Sequence, residues 1–376
     1  MYNSSNPFDF IKTIESSEKL IDIAFNKAMK IKPSNAREYL ERKKTLEMNR
    51  INTVGNVIVD RITNLIESFP SLNLIHPFYY ELTDILVGID KLKEAIGRVH
   101  GINDHIRSIA QELNDQILGS NNPKEITQLR KIAFGRYASF IKKLENTFSF
   151  LNSSKQILIN FPGFDPTSPT VVITGIPNAG KSSFIRQSTS GKPQVASYPF
   201  TTKKLLFGHR KVNLLSIQFV DTPGILDRPL SERNSIEKQA LIAIRHLADL
   251  ILFFIDPLKN DNESLNAQLN LIREIKQFYA SSEFKVAISK SDLVGSEIVD
   301  KIQHQLVLEN IIADNERLIL FNSNSKEGIT DLIDFVEKTI MQKIIKSNKF
   351  KQLSKPIIAE DQLPIEDDPI WEQREY

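Results

Sequence analysis

A chain of 376 residues is long enough for two or three domains, and 48 basic against 46 acidic side chains leave a net charge of +2, which excludes a chain-wide polyelectrolyte surface and confines any nucleic-acid contact to local patches. The absence of cysteine excludes disulfide partners and cysteine-based zinc or iron–sulfur sites. The start MYNSSNPFDF lacks a secretory pattern and no stretch approaches about 18 uninterrupted apolar residues, so we expect a soluble, cytoplasmic protein with no membrane partner.

Residues 1–160 carry helical periodicity. In IVDRITNLIESF and DILVGIDKLKEAIGRV apolar positions recur every three or four residues. Pro33-Ser34, Phe69-Pro70-Ser71, His76-Pro77 and Asn121-Asn122-Pro123 punctuate the pattern and predict an all-α bundle of four or five helices. Basic side chains gather between Lys27 and Arg50 and again between Arg130 and Lys143. They fit either solvated helix faces or a local anionic partner. None of the six histidines, among them His76, His100 and His105, has metal-ligand spacing.

The segment FPGFDPTSP, residues 161–169, holds three prolines and a glycine and marks the expected linker. From 170 to 346 short apolar runs alternate with helical patterns: VVITG, KKLLFGH, LLSIQFVD, LILFFID, FKVAIS and RLILFNS are expected strands. Helices are expected from Lys181, through IEKQALIAIRHL, over ESLNAQLNLIREIKQF, from about Glu297 to Glu309 and over ITDLIDFVEKTIMQKII. Such alternation predicts an α/β doubly wound, mostly parallel sheet with its ligand at the carboxyl ends of the strands. The loops after VVITG, FVD and AIS should then share one crevice. Residues 347–376, with the single tryptophan Trp371, form a tail expected to be partly disordered.

Gly175, Ile176, Pro177, Asn178, Ala179, Gly180, Lys181 and Ser182 match G-x-x-x-x-G-K-[ST] between an expected strand and an expected helix, with Ser183 next in the helix. Glycines let the backbone wrap around phosphates, the helix N-terminus favours the anion, Lys181 can reach the β and γ oxygens, and the Ser182 hydroxyl can ligate Mg²⁺. Asp221-Thr222-Pro223-Gly224 ends the strand QFVD, where Asp221 can hold Mg²⁺ and the Gly224 N–H can approach a γ-phosphate. Ser289-Lys290-Ser291-Asp292 follows FKVAIS where GTPases carry N-K-x-D. The Asp292 carboxylate can accept from guanine N1–H and its exocyclic amine, while the Lys290 stem can lie along the base. Ser289 stands where asparagine is usual, so the tie from this loop to the phosphate loop should be shortened or lost. Ser323-Asn324-Ser325 occupies the place of a second guanine loop, or is a polar turn. SYPFTT, residues 197–202, lies where a switch threonine completes the Mg²⁺ shell, with Thr202 the first choice and Thr201 the second. The partner these residues point to is GTP or GDP, and Asp292 opposes an ATPase reading.

GIPNAGKSSF, SYPFTTK and above all DTPGILDRPLSERNSIEKQ resemble the nucleolar GTP-binding (Nog) family, within the Obg/HflX group of translation-associated GTPases. The resemblance covers the GTPase part, and the helical N-terminal half agrees in position and character; the chain resembles a compact, archaeal-type member. It implies a P-loop GTPase domain behind a helical one, and a role in assembly of the large ribosomal subunit with the helical half contacting ribosomal RNA or ribosomal proteins. The alternative reading is a nucleotide-gated scaffold whose partner is a protein.

Ile225 follows Gly224 where Ras-type enzymes place a water-orienting glutamine, so intrinsic hydrolysis should be slow. Similar GTPases with asparagine at the position of Asn178 hold K⁺ beside the phosphates, which makes K⁺ a second expected cofactor. Arg228 is either an arginine finger in cis or, with Pro229, a shaper of the switch or of a partner surface. The expected chemistry thus rests on Lys181, Thr202, Asp221, Gly224 and Asn178.

Overall fold

The structure, a computed structural model, describes residues 6–33, 38–165, 168–191, 193–197, 204–212, 215–222, 226, 241, 244–280, 282–316, 318–322 and 325–346. Six helices come first: α1 (Ser17–Met29), α2 (Tyr39–Ile66), α3 (Pro77–Leu86), α4 (Ile89–Gly119), α5 (Pro123–Lys143) and α6 (Glu145–Leu158). Local chemistry sets their starts. Ser16 caps α1 by accepting from the Lys19 N–H, while His76 and Asn122 cap α3 and α5, each followed by a proline that has no N–H to satisfy.

Six helices stand where the punctuation predicted four or five. DILVGIDKLKEAIGRV is not one helix: Gly88 adopts φ +83°, a conformation open to glycine, and separates α3 from α4. The break at Leu144 between α5 and α6 carries neither proline nor glycine, and so left no signal in the sequence.

The basic clusters divide by role. Glu47 of α2 is 1% exposed, and it receives Lys43 at 2.7 Å, Arg50 at 3.3 Å and, from α5, Arg130 at 2.9 Å. Lys44 is buried and donates to the Leu118 carbonyl at the end of α4. These cations are internal fastenings. Lys27, Lys30, Lys32, Arg42, Lys131, Lys142 and Lys143 are exposed, while Arg37 lies outside the described residues.

One seven-stranded sheet follows, in the order β2-β3-β4-β1-β5-β6-β7. Its strands are β1 (Thr170–Thr174), β2 (Gln194–Ser197), β3 (Lys204–Val212), β4 (Leu215–Asp221), β5 (Leu250–Ile255), β6 (Glu283–Ile288) and β7 (Ile319–Leu320). Pairings from β4 through β1, β5 and β6 to β7 are parallel; β2 and β3 add an antiparallel edge. The helices α7 (Lys181–Ser188), α8 (Asn262–Phe278), α9 (Ser296–Leu308) and α10 (Ile329–Lys346) cover it. Val171 and Ile173 of β1 face one core with Phe184 of α7 and Leu332 and Val336 of α10, while Val172 faces the other with Leu269 and Ile272 of α8. Burial on both faces explains why β1 and β5 are continuous apolar runs. The expected helix through IEKQALIAIRHL falls mostly outside the described residues. Among those described, no helix is long and apolar enough to cross a membrane.

Candidate nucleotide site

Parallel pairing brings the carboxyl ends of β4, β1, β5 and β6 to one edge of the sheet. At the end of β1 the chain turns at Gly175 with φ +138°, where a Cβ would lie 2.4 Å from the Phe254 carbonyl oxygen of β5. Only glycine can pass there. Ile176 and Ala179 close the loop with an Ala179 N–H to Ile176 carbonyl bond of 3.3 Å, Pro177 and Asn178 are exposed at its apex, and Gly180 with φ +83° turns the chain into α7. The whole loop is therefore a concave run of backbone held against β5, with a helix N-terminus behind it.

Lys181 is 6% exposed, and its ammonium donates to the Gly175 carbonyl at 2.7 Å and the Ile176 carbonyl at 2.8 Å. The cation thus spans the loop it begins beneath. Ser182 donates its hydroxyl to Asp221, which is wholly buried at the end of β4, and Ser183 is half-buried in the first turn of α7. A hydroxyl and a carboxylate meeting at the phosphate loop are hard oxygen donors, the set that Mg²⁺ prefers. Asp221 and Ser182 are 39 residues apart in sequence, and β4 lying beside β1 is what joins them.

The chain beyond Asp221 is fastened to β1. Thr222, wholly buried, donates to the Ile173 carbonyl at 3.3 Å, and Thr174 donates to the Leu226 carbonyl at 2.6 Å. Neither threonine's part was legible beforehand, although both lie inside or beside quoted motifs. Thr201 and Thr202 of the expected switch, Gly224, Ile225 and Arg228 lie outside the described residues, as do Ser323, Asn324 and the tail with Trp371.

At the end of β6, Ser289 is wholly buried; its N–H and its hydroxyl both donate to the Ile255 carbonyl of β5, each at 3.0 Å. The serine therefore ties this loop to the neighbouring strand. Lys290 has φ +52° and its ammonium lies 2.6 Å from an Asp256 oxygen. Asp292 sits exposed in a single 3₁₀ turn, Ser291–Leu293, and the Ser291 N–H reaches the Phe321 carbonyl at 3.4 Å. Ser325 lies in a turn closed by Asn322, whose side-chain oxygen accepts from the Ser325 N–H at 3.4 Å. The expected site residues that are described thus fall at the ends of four strands, β1, β4, β6 and β7, and Asp256 at the end of β5, not among the expected site residues, joins them. Its signal was an acidic residue directly after an apolar strand, but spacing alone did not name its partner.

Residues 8–165 match a family model described as the NOG1 N-terminal helical domain, and residues 170–290 match one described as 50S ribosome-binding GTPase. An uncharacterized protein of Methanocaldococcus jannaschii is 34% identical over 302 residues, 80% of this chain and 85% of that one. Nucleolar GTP-binding protein 1 of Saccharomyces cerevisiae is 32% identical over 299 residues, 79% of this chain and 46% of that one. A Plasmodium falciparum crystal structure under the same protein name is 26% identical with a TM-score of 0.43, covering 51% of this chain and 96% of that one. The chain spans about half the length of the curated relatives that carry this name.

Proposed function

Since the chain belongs to the Nog family of GTPases, we propose that it is a GTP-binding and GTP-hydrolysing switch acting in assembly of the large ribosomal subunit, its helical half contacting ribosomal RNA or ribosomal proteins. The observation that carries the nucleotide part is the meeting of Ser182 with buried Asp221 beside a glycine-turned loop spanned by Lys181. Two oxygen donors there fit Mg²⁺, which Ser182, Asp221 and Thr202 would hold and which, when bound, neutralises charge on the phosphates. Backbone N–H groups of the loop and the first turn of α7 orient the phosphates, and Lys181 exchanges its two carbonyls for their oxygens. Asp292 reads the guanine edge, and Ser323-Asn324-Ser325 supplies the second guanine loop. Gly224 and Thr202 sense the γ-phosphate. With Ile225 at the water-orienting position, hydrolysis in isolation is slow, and ribosomal particles raise it.

The ribosomal part is supported by the matched family descriptions and by the exposed cations on the helical half. Cosedimentation with large subunits and their precursors tests it, using a non-hydrolysable GTP analogue, GDP or no nucleotide over a range of salt. The expected result is analogue-dependent binding that weakens as salt rises. Absence of subunit binding in every nucleotide state removes the ribosome from the reading and leaves a nucleotide-gated scaffold for a protein partner.

A further inference from the structure

Asp256 is a buried carboxylate that nothing above employs, and each of its polar groups is engaged. Its N–H donates to the Gln268 side-chain oxygen at 3.0 Å and its carbonyl accepts from the Gln268 amide at 3.2 Å. One carboxylate oxygen accepts from the Leu258 N–H at 3.1 Å; the other meets the Lys290 ammonium at 2.6 Å. Gln268, 1% exposed on α8, also donates to the Lys259 carbonyl at 3.2 Å, so the turn after β5 is pinned to that helix. The carboxylate cannot swing away.

Lys290 is in the left-handed region, which side chains other than glycine enter only when their surroundings hold them there. Two fastenings are present. Ser289 bonds its N–H and hydroxyl to Ile255, and Asp256 is the next residue of that same strand end. The serine hydroxyl, standing where N-K-x-D carries asparagine, is engaged by the Ile255 carbonyl, and the ion pair lies beside it.

We propose that Asp256, fixed by Gln268, is the positioning residue of the base-binding loop: it holds the Lys290 side chain where its stem forms one wall of the guanine site. The inference rests on the guanine reading of Asp292. In this assignment Asp256 acts through Lys290 alone, which sets it apart from a residue that merely supports the fold.

A double-mutant cycle reads this in GDP dissociation constants, from displacement of a fluorescent GDP analogue, alongside the melting temperature of each variant. Asp256→Asn and Lys290→Met should each weaken GDP about tenfold, and the double variant should be no weaker than the worse single one. Affinity within about twofold of the wild type in Asp256→Asn, or losses that multiply in the double variant, overturns the proposal. If Asp256→Asn does not fold, Lys290→Met decides alone, because it keeps an apolar stem and removes the ammonium; unchanged GDP affinity then refutes the tie. The underlying assignment has its own readout. Wild-type protein that binds ADP as tightly as GDP, or Asp292→Asn that gains nothing for xanthosine diphosphate, rejects Asp292 as the guanine reader, whatever the cycle returns.

Discussion

Asn178 stands at the apex of the phosphate loop with φ +67°, exposed, between a proline and a buried alanine. Two physical reasons can put asparagine there. Its backbone tolerates the left-handed region better than most side chains do, and its amide oxygen is a hard donor that can join K⁺ beside the phosphates. Glycine separates them, because it keeps the backbone and removes the oxygen. GTP turnover by the wild type should be about tenfold faster in K⁺ than in Na⁺, as for a charge stabiliser at developing phosphate charge. Asn178→Gly should turn over equally in both salts with GDP affinity retained, and Asn178→Ala should lose the difference too. Equal wild-type rates in the two salts would falsify the K⁺ site; persistent stimulation in the glycine variant would leave Asn178 a role in backbone shape only.

Helix α2 shows how an element can hide its chemistry. Among its buried positions, 44, 47, 51, 54, 58, 62 and 65 form one stripe at helical spacing, flanked by 55 and 57, and two of the stripe are charged. Read as composition, Lys43, Lys44 and Arg50 are part of a basic patch; read by position, Lys44 and Glu47 lie on the apolar stripe and must find partners inside. Glu47→Gln leaves Lys43, Arg50 and Arg130 without their carboxylate where all three are less than a quarter exposed. We expect a loss of about 3 kcal/mol in denaturant unfolding, and a change below about 1 kcal/mol would mean these cations relax into water at little cost. The same logic marks what could be read beforehand. The fully buried strands β1 and β5, α8 and the G-x-x-x-x-G-K-S loop carry periods or spacings that need no tertiary partner to be recognised. Strand β2 has four residues and one exposed valine, and exists by pairing with β3. Likewise the Lys290–Asp256 pair spans 34 residues, and only the neighbouring of β5 and β6 brings it together.

Across the molecule, the halves meet through a short segment that is held on both sides. Tyr79 of α3 donates its hydroxyl to the Pro162 carbonyl at 2.9 Å and accepts from the Phe164 N–H at 3.3 Å, while its ring stacks on Phe164 at 4.9 Å. Burial drives the Tyr79 phenol well above its ordinary range, so the hydroxyl keeps its proton to donate. From the other side, Gln218 of β4 accepts from the Asp165 N–H at 3.2 Å, donates its own N–H to the Pro169 carbonyl at 2.9 Å and its amide to Thr170 at 3.1 Å. Gln218 is three residues before Asp221, so the strand that ends at the nucleotide site also carries the seam. Tyr79→Phe strands two backbone groups, and Gln218→Leu removes two side-chain contacts, to the Asp165 N–H and the Thr170 hydroxyl, while keeping its backbone bond to Pro169; each change costs about 1–3 kcal/mol. These losses fall on the junction, and Tyr79→Phe keeps the ring that stacks on Phe164. GDP at about 100 times its dissociation constant should stabilise whatever unfolds with its site by about 2.7 kcal/mol. In the wild type the whole helical circular dichroism transition should therefore move up with GDP. In the double variant it should divide, one part responding to GDP and the other, from α1 to α6, remaining where it was. A wild-type transition already divided, with its helical part indifferent to GDP, would mean that the seam transmits nothing between nucleotide and bundle and that any partner on the helices is gated by other contacts.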